Sequence, residues 1–159
     1  MQLRKTFRFE ASHILPRHKG KCSRLHGHSW VLHVFVSGII KQETGFVMDY
    51  AEISEVVKPL IEKLDHHHFG QWRAERIEGG FYDIMNYTKQ YKSWGVIGMP
   101  IEFYPSSENL LIWIAEQLST LKWSKLALEE TCTSYCELTR DEFERDNLCS
   151  ATYTVEEQK

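Results

Sequence analysis

Two stretches of strict alternation near the start of the chain constrain what it can fold into. Up to residue 13, Leu3, Lys5, Phe7, Phe9, Ala11 and His13 fall on one side, while Gln2, Arg4, Thr6, Arg8, Glu10 and Ser12 fall on the other. A period of two is the mark of a half-buried strand. The pattern returns in His26, His28, Trp30, Leu32, Val34 and Val36, with Gly27 keeping the backbone open between the first two. If the two strands pair through residues 14–24, His13, His26 and His28 converge at one end and on one face.

Three neutral imidazoles with a fourth position open make the usual catalytic zinc arrangement, whereas a closed four-ligand set is usually structural. Any one histidine near a strand end is as readily a packing or surface residue; the matched facing of the three is what points to a metal. Cys22 lies four residues before His26, and spacing leaves two roles open for it. Lys19, Lys21 and Arg24 surround it, and positive neighbours favour a thiolate that acts as base or nucleophile. Alternatively the sulfur is a fourth ligand in a structural Cys-His-His-His site.

Composition bounds the rest. With 159 residues and 42% hydrophobic content, the whole chain, 1–159, is expected to be a single domain with a real core. A net charge of −3 without a basic stripe gives nucleic-acid binding little electrostatic support. Residues 1–10 alternate where a leader would be apolar, and no run approaches membrane-spanning length. The cysteines Cys22, Cys132, Cys136 and Cys149 show no disulfide-scaffold spacing, so reduced thiols in a cytoplasmic protein are expected.

Further along, Ile53, Val56, Val57, Leu60, Ile61 and Leu64 form one helical stripe. Asp49 is placed to cap it with Glu52 as reciprocal partner, and Pro59 should kink the helix or start a new turn. Ser106 or Ser107 caps a second helix whose stripe is Leu110, Leu111, Ile114, Leu118 and Leu121. Residues 125–132 alternate again. A last strand is expected around Cys149, Ala151, Tyr153 and Val155, reached through a charged turn at 141–147. Residues 69–103 read as an extended insertion, weakly periodic, with one short strand near 101–104; a loop of that length is usually functional or partly ordered.

Two acidic positions stand out. Glu130 lies in line with Leu126 and Leu128 on the apolar side of its strand. A carboxylate there is paired or used, because burying it alone is costly, unless the position is an edge where the side chain reaches water. Asp65 precedes His66, His67 and His68 directly after the first helix. That cluster suits a further metal site, a solvated helix end favouring cations, or an oriented Asp65–His66 acid/base pair, and spacing does not choose.

The runs Phe9-Glu10-Ala11-Ser12-His13 and Lys21-Cys22-Ser23-Arg24-Leu25-His26-Gly27-His28-Ser29 resemble the family of pyruvoyl-tetrahydropterin and carboxytetrahydropterin synthases. Thr44-Gly45-Phe46-Val47-Met48-Asp49-Tyr50, Leu64-Asp65-His66-His67, Pro105-Ser106-Ser107-Glu108-Asn109 and Glu130-Thr131-Cys132-Thr133 match it in the same order. The short Cys-x-x-x-His-Gly-His spacing and the Glu-Thr-Cys-Thr run look like its bacterial carboxytetrahydropterin-forming members. The resemblance implies an α+β tunnelling fold, ββααββ, in which a four-stranded antiparallel sheet carries two helices on one face. It also implies sheets closing into a barrel in a homohexamer, a dimer of trimers, which would remove otherwise exposed edges.

The chemistry implied by the resemblance is conversion of 7,8-dihydroneopterin triphosphate to 6-carboxytetrahydropterin, acetaldehyde and triphosphate, feeding 7-deazaguanine (queuosine-type) synthesis. Zinc would sit on His13, His26 and His28 as a Lewis acid, Cys22 would be the thiolate base, and His66 oriented by Asp65 would exchange protons. Glu130 would accept two N–H bonds from the pterin edge and take part in the proton relay. Thr131, Ser106 and Ser107 join the substrate-binding set, and charge alone offers Lys21, with Lys19 and Arg24, to the triphosphate. The chain departs from the pattern at Ser106-Ser107, at His68-Phe69-Gly70, in the length of 69–103 and in the tail beyond Cys136. The alternatives are a pyruvoyl-tetrahydropterin synthase that keeps the side chain, and a catalytically silent zinc- or pterin-binding oligomer.

Overall fold

The structure, a computed structural model, describes residues 1–15, 17–69 and 104–145. Its frame is a hairpin of two twelve-residue strands, β1 (Gln2–His13) and β2 (His26–Ser37), paired antiparallel from Gln2↔Ser37 to His13↔His26. The alternation in both strands dictates this register, since a slip of one residue would turn every apolar side chain to the other face. β4 (Lys125–Thr131) pairs with β2, and β5 (Ser134–Thr139) pairs with β4, both antiparallel. A three-residue strand, β3 (His67–Phe69), runs parallel to β1, giving the order β3-β1-β2-β4-β5. Three of the four antiparallel strands, β1, β2 and β4, are those expected; β3 is an addition, and it takes Phe69 of the supposed insertion into the core.

The final strand differs from its expected position. β5 follows β4 at once across Cys132 and Thr133, and residues 141–145, read as turn, belong to a short helix, α3 (Arg140–Arg145). The sequence hid β5 because only Cys136 and Leu138 of its six residues turn inward, against Leu128 and Leu126, and no Gly or Asn marks the turn. The strands expected at 101–104 and 149–155 fall on residues 101–103 and 149–155, which lie outside the described residues.

Helix α1 (Tyr50–Leu64) buries Ile53, Val57, Leu60 and Leu64. At its start the Asp49 carboxylate accepts the Ala51 N–H at 2.7 Å, and Glu52 accepts the Asp49 N–H at 3.3 Å, completing the capping box. The helix runs unbroken across Pro59, which sits on the exposed face; the carbonyl that loses its partner there belongs to exposed Glu55. Helix α2 (Ser107–Gln117) packs on β4 and β5. Six consecutive residues, Leu110 to Ala115, are buried, so the helix is enclosed on more than the single stripe read from the sequence. Lys5, on the inward side of β1, keeps its charge solvated by donating to the Tyr50 carbonyl at 2.7 Å and to the Ser54 hydroxyl. On the opposite sheet face, the Thr6 hydroxyl meets His33 Nδ1 at 2.9 Å while His33 Nε2–H donates to Glu129 at 2.6 Å. Among the described residues no helix is long and apolar enough to cross a membrane.

Replacing the Asp49 cap by alanine is expected to cost about 1 kcal/mol, read as a lower urea midpoint with an unchanged slope. The substitution Glu55→Ala, on the exposed face of the same helix, should move the midpoint far less.

Candidate metal centre

His13 ends β1 and His26 opens β2 directly opposite it, while His28, two residues on, shares their face. Gly27 is required between them: a Cβ there would lie 3.2 Å from the Ala11 carbonyl oxygen of the neighbouring strand, which does not readily give way. Beneath the three imidazoles lies Trp30, fully buried, with His13 and His28 set edge-on to it at 5.3 Å and Phe9 stacked alongside. The indole N–H donates to the Ala11 carbonyl at 3.2 Å, so a satisfied aromatic floor fixes the histidines from below.

The orientation of two rings follows from their partners. His13 Nδ1–H donates to the Pro105 carbonyl at 2.7 Å, and His26 Nδ1–H donates to the Arg24 carbonyl at 2.7 Å. Carbonyls only accept, so in the neutral rings both Nε2 atoms carry lone pairs, and these face each other at 3.1 Å. Burial lowers the pKa of His28, with Glu130 opposing that shift, and its buried Nε2 has no hydrogen-bond partner among the described residues. The facing lone pairs of His13 and His26 repel unless a cation lies between them. The ligand atoms of His13, His26 and His28 lie within 4.8 Å of one another, and tetrahedral zinc with nitrogen at 2.0–2.1 Å needs separations of about 3.3 Å. The three imidazoles could hold a metal ion such as zinc by closing inward on it, with carbonyl partners holding two of the rings as outer groups do in metal sites.

Glu130 comes in from β4, its Oε1 3.3 Å from His13 Nε2 and 3.5 Å from His28 Nε2. The His13 side chain above all holds its carboxyl below the usual range despite burial, so it stays ionised beside the imidazoles. Nearby, burial above all, then the charge of Glu108, pushes the Cys136 thiol up to about 11, which keeps that sulfur protonated.

The remaining predicted residues are less tightly joined to the trio. Cys22 is half-buried in a single 3-10 turn, Lys21–Ser23, tied back by its carbonyl to Leu15 N–H at 2.9 Å. The group of potential metal ligands does not include it. Lys19, Lys21 and Arg24 are exposed and make no ion pair among the described residues. Ser106 caps α2, accepting from Asn109 N–H at 3.4 Å, and Ser107 lies against Glu108. Thr131 accepts the Thr133 N–H within the β4–β5 turn.

Asp65 and His66 do form a pair. One carboxylate oxygen of Asp65 accepts the Glu10 N–H at 2.8 Å, and the other meets His66 Nδ1 at 2.8 Å. His66 adopts φ +59, the left-handed position after a helix that glycine usually fills, at a cost of about 1–3 kcal/mol for another residue. That strained backbone, anchored by His66 N–H on the Glu10 carbonyl at 2.6 Å, aims an outward imidazole whose Nδ1 meets the carboxylate. The pair shares one cleft with the trio through His28, lined also by Glu10, Ser12 and Ser29. Two participants were missed from sequence: the Pro105 and Arg24 carbonyls that set the ring orientations, for which backbone atoms leave no residue-type signal.

The family model for 6-pyruvoyl tetrahydropterin synthase matches residues 2–141. The chain is 30% identical over 143 residues to the 6-carboxy-5,6,7,8-tetrahydropterin synthase of Haemophilus influenzae, covering 86% of this chain and 96% of that protein. It is 45% identical over 69 residues to the protein of the same description from Synechocystis, there spanning only 54% of the relative's length. The fold is also similar to the 6-pyruvoyl tetrahydropterin synthase of Caenorhabditis elegans, with a TM-score of 0.63 at 20% identity over 87% of this chain and 94% of that one.

The Asp65 carboxyl lies below its ordinary value of 3.8, mainly through the Glu10 backbone N–H and then through His66. A depressed folded pKa gives stability that is present above the unfolded value and is lost as pH falls through the folded one. Asp65→Asn should therefore be less stable than the parent at pH 5–7, and the gap should close as pH drops below about 3.8, measured by denaturant titrations across that range.

Proposed function

The chain belongs to the 6-pyruvoyl tetrahydropterin synthase family, and we propose that within it the protein is a zinc-dependent carbon–carbon lyase. On this reading it converts 7,8-dihydroneopterin triphosphate to 6-carboxy-5,6,7,8-tetrahydropterin, acetaldehyde and triphosphate, in 7-deazaguanine biosynthesis and as a cytoplasmic homo-oligomer. The observation that carries it is the convergence of His13, His26 and His28 lone pairs beside an ionised Glu130, in a chain whose full-length bacterial relative bears the carboxytetrahydropterin-forming name.

Each residue then has a definite task. His13, His26 and His28 would hold zinc, which as a Lewis acid acidifies the carbon-bound proton beside the substrate's hydroxyl. Cys22, outside the ligand group and on a turn held at Leu15, is free to act as the thiolate that takes that proton. His66, its Nδ1–H fixed by Asp65, passes protons at Nε2. Glu130 offers two carboxylate oxygens to the paired N–H groups of the pterin edge, a bidentate match that favours the ionised form it already holds. Thr131, Ser106 and Ser107 would join the substrate-binding set, and exposed Lys21 would meet the triphosphate.

Incubation of zinc-loaded protein with 7,8-dihydroneopterin triphosphate should release acetaldehyde in step with 6-carboxytetrahydropterin, identified by mass spectrometry. A pyruvoyl product without acetaldehyde would make it the pyruvoyl-forming enzyme. Absence of turnover in the metal-loaded protein would make it a binding protein. Cys22→Ala should keep one zinc per chain by metal analysis while turnover falls by about 10²–10⁴-fold; loss of metal would make Cys22 a ligand. Glu130→Gln should raise KM for the substrate at least tenfold with the circular dichroism spectrum unchanged.

A further inference from the structure

The connection between β1 and β2 carries Arg17, Lys19, Lys21 and Arg24, and no acidic residue occurs between Glu10 and Glu43. All four cations are exposed, and none makes an ion pair among the described residues. The connection is also folded on itself. Leu15 N–H donates to the Cys22 carbonyl at 2.9 Å, His18 N–H to that of Leu15 at 2.9 Å, and Arg24 N–H to that of Lys21 at 3.0 Å. Four like charges are thus gathered on one short loop that supplies nothing of opposite sign.

Arg17 differs from the other three. Its Cζ lies 5.6 Å from the centre of the Tyr104 ring, within the range of a cation–π contact. Tyr104 is fixed in turn, because its carbonyl accepts from the Asn109 side-chain amide and from Ser106 N–H, both at 2.9 Å. The next residue, Pro105, gives its carbonyl to His13 Nδ1–H at 2.7 Å. At the far end of the loop the Arg24 carbonyl holds His26 in the same way. The two backbone segments that orient these imidazoles therefore each place an arginine beside the histidine site. Stacking occupies a face of the Arg17 guanidinium and leaves its N–H edge open, the edge that matches phosphate oxygens.

The charge and its arrangement narrow the ligand. Four cations without a counter-acid on their own loop suit a polyanion. Ionised Glu130, beside the same imidazoles on β4, repels such a group and leaves the loop as its place. A guanidinium already held on a ring loses less freedom on binding than an unfixed lysine does. We infer that Arg17, held on Tyr104, is the anchoring residue of a polyphosphate subsite at the rim of the histidine site, with Lys19, Lys21 and Arg24 grouped around it. For the natural ligand this rests on the reading of the substrate as a pterin triphosphate; the subsite itself takes a linear triphosphate.

Inorganic tripolyphosphate, which carries no pterin, tests the subsite apart from the enzyme reading. It would be titrated calorimetrically into the full-length zinc-loaded protein at low ionic strength, where exposed charges are least screened. Saturable binding is expected, weakened by about tenfold or more in Arg17→Gln and in Tyr104→Leu. Tyr104→Phe, which keeps the ring, should bind as the parent does. Lys58→Gln makes the same charge change on the exposed face of α1 and should also leave the affinity unchanged. The inference is overturned if Arg17→Gln or Tyr104→Leu binds like the parent, if Lys58→Gln loses as much as Arg17→Gln, or if orthophosphate binds as tightly as tripolyphosphate. Extraction of zinc by the probe would be the same in the parent and in Arg17→Gln, and so would count against it. Absence of lyase turnover alongside the expected titrations would remove the pterin substrate and leave the subsite standing.

Discussion

The ladder between β1 and β2 carries the rest of the structure, because its register decides what His13 faces. Pairing from Gln2↔Ser37 to His13↔His26 sets two imidazoles opposite each other at the end of the sheet and lays Phe7, Phe9 and Ala11 on the same side as Trp30, Leu32 and Val34. The core and the site are thus specified by one set of hydrogen bonds. Any sequence change that favoured a shifted register would turn the apolar residues to solvent and the histidines away from one another, so stability and site geometry cannot be lost separately here.

Held in this way, the histidines pose an electrostatic problem that the fold does not relax. Buried His13 and half-buried His26, their Nδ1 protons committed to carbonyls, keep their lone pairs pointed together, and Trp30 lies edge-on against His13 and His28. An ionised carboxylate, Glu130, lies beside the set at 3.3 Å from His13 and 3.5 Å from His28. The Asp65–His66 pair shows the opposite strategy. It is exposed, its backbone is strained, and its geometry depends on a carboxylate latched to the neighbouring strand. Rigid burial suits binding a cation; an outward imidazole in a fixed tautomer suits proton transfer.

Much of this was legible in the chain. Alternation revealed β1, β2 and β4 and the shared facing of the three histidines, and Asp49 with Glu52 marked the start of α1 as the structure has it. Glu130 stood out because a carboxylate in line with Leu126 and Leu128 needs a partner, and it has two. β5 was not legible: six residues with two inward side chains carry little periodic signal, and the Cys132-Thr133 turn lacks the glycine or asparagine that announces a tight hairpin. Nor was the burial of Ile112 and Trp113, since a helix enclosed beyond one stripe shows no amphipathic contrast. The carbonyls of Pro105 and Arg24 were hidden for a different reason. Every residue owns one, and only the folded path selects which of them orients a ring.

The bond from His13 to the Pro105 carbonyl also has a place in time. It closes a span of 92 residues, and contacts so distant in sequence form after local ones, once the entropy of bringing the segments together has been met. His26, Gly27 and His28 leave the ribosome early, yet the ring that completes their set is not locked until the approach to α2 has been synthesised and docked. A nascent chain in which β1 and β2 have paired would hold these imidazoles without the lock on His13, so the mature centre belongs to the late stages of folding.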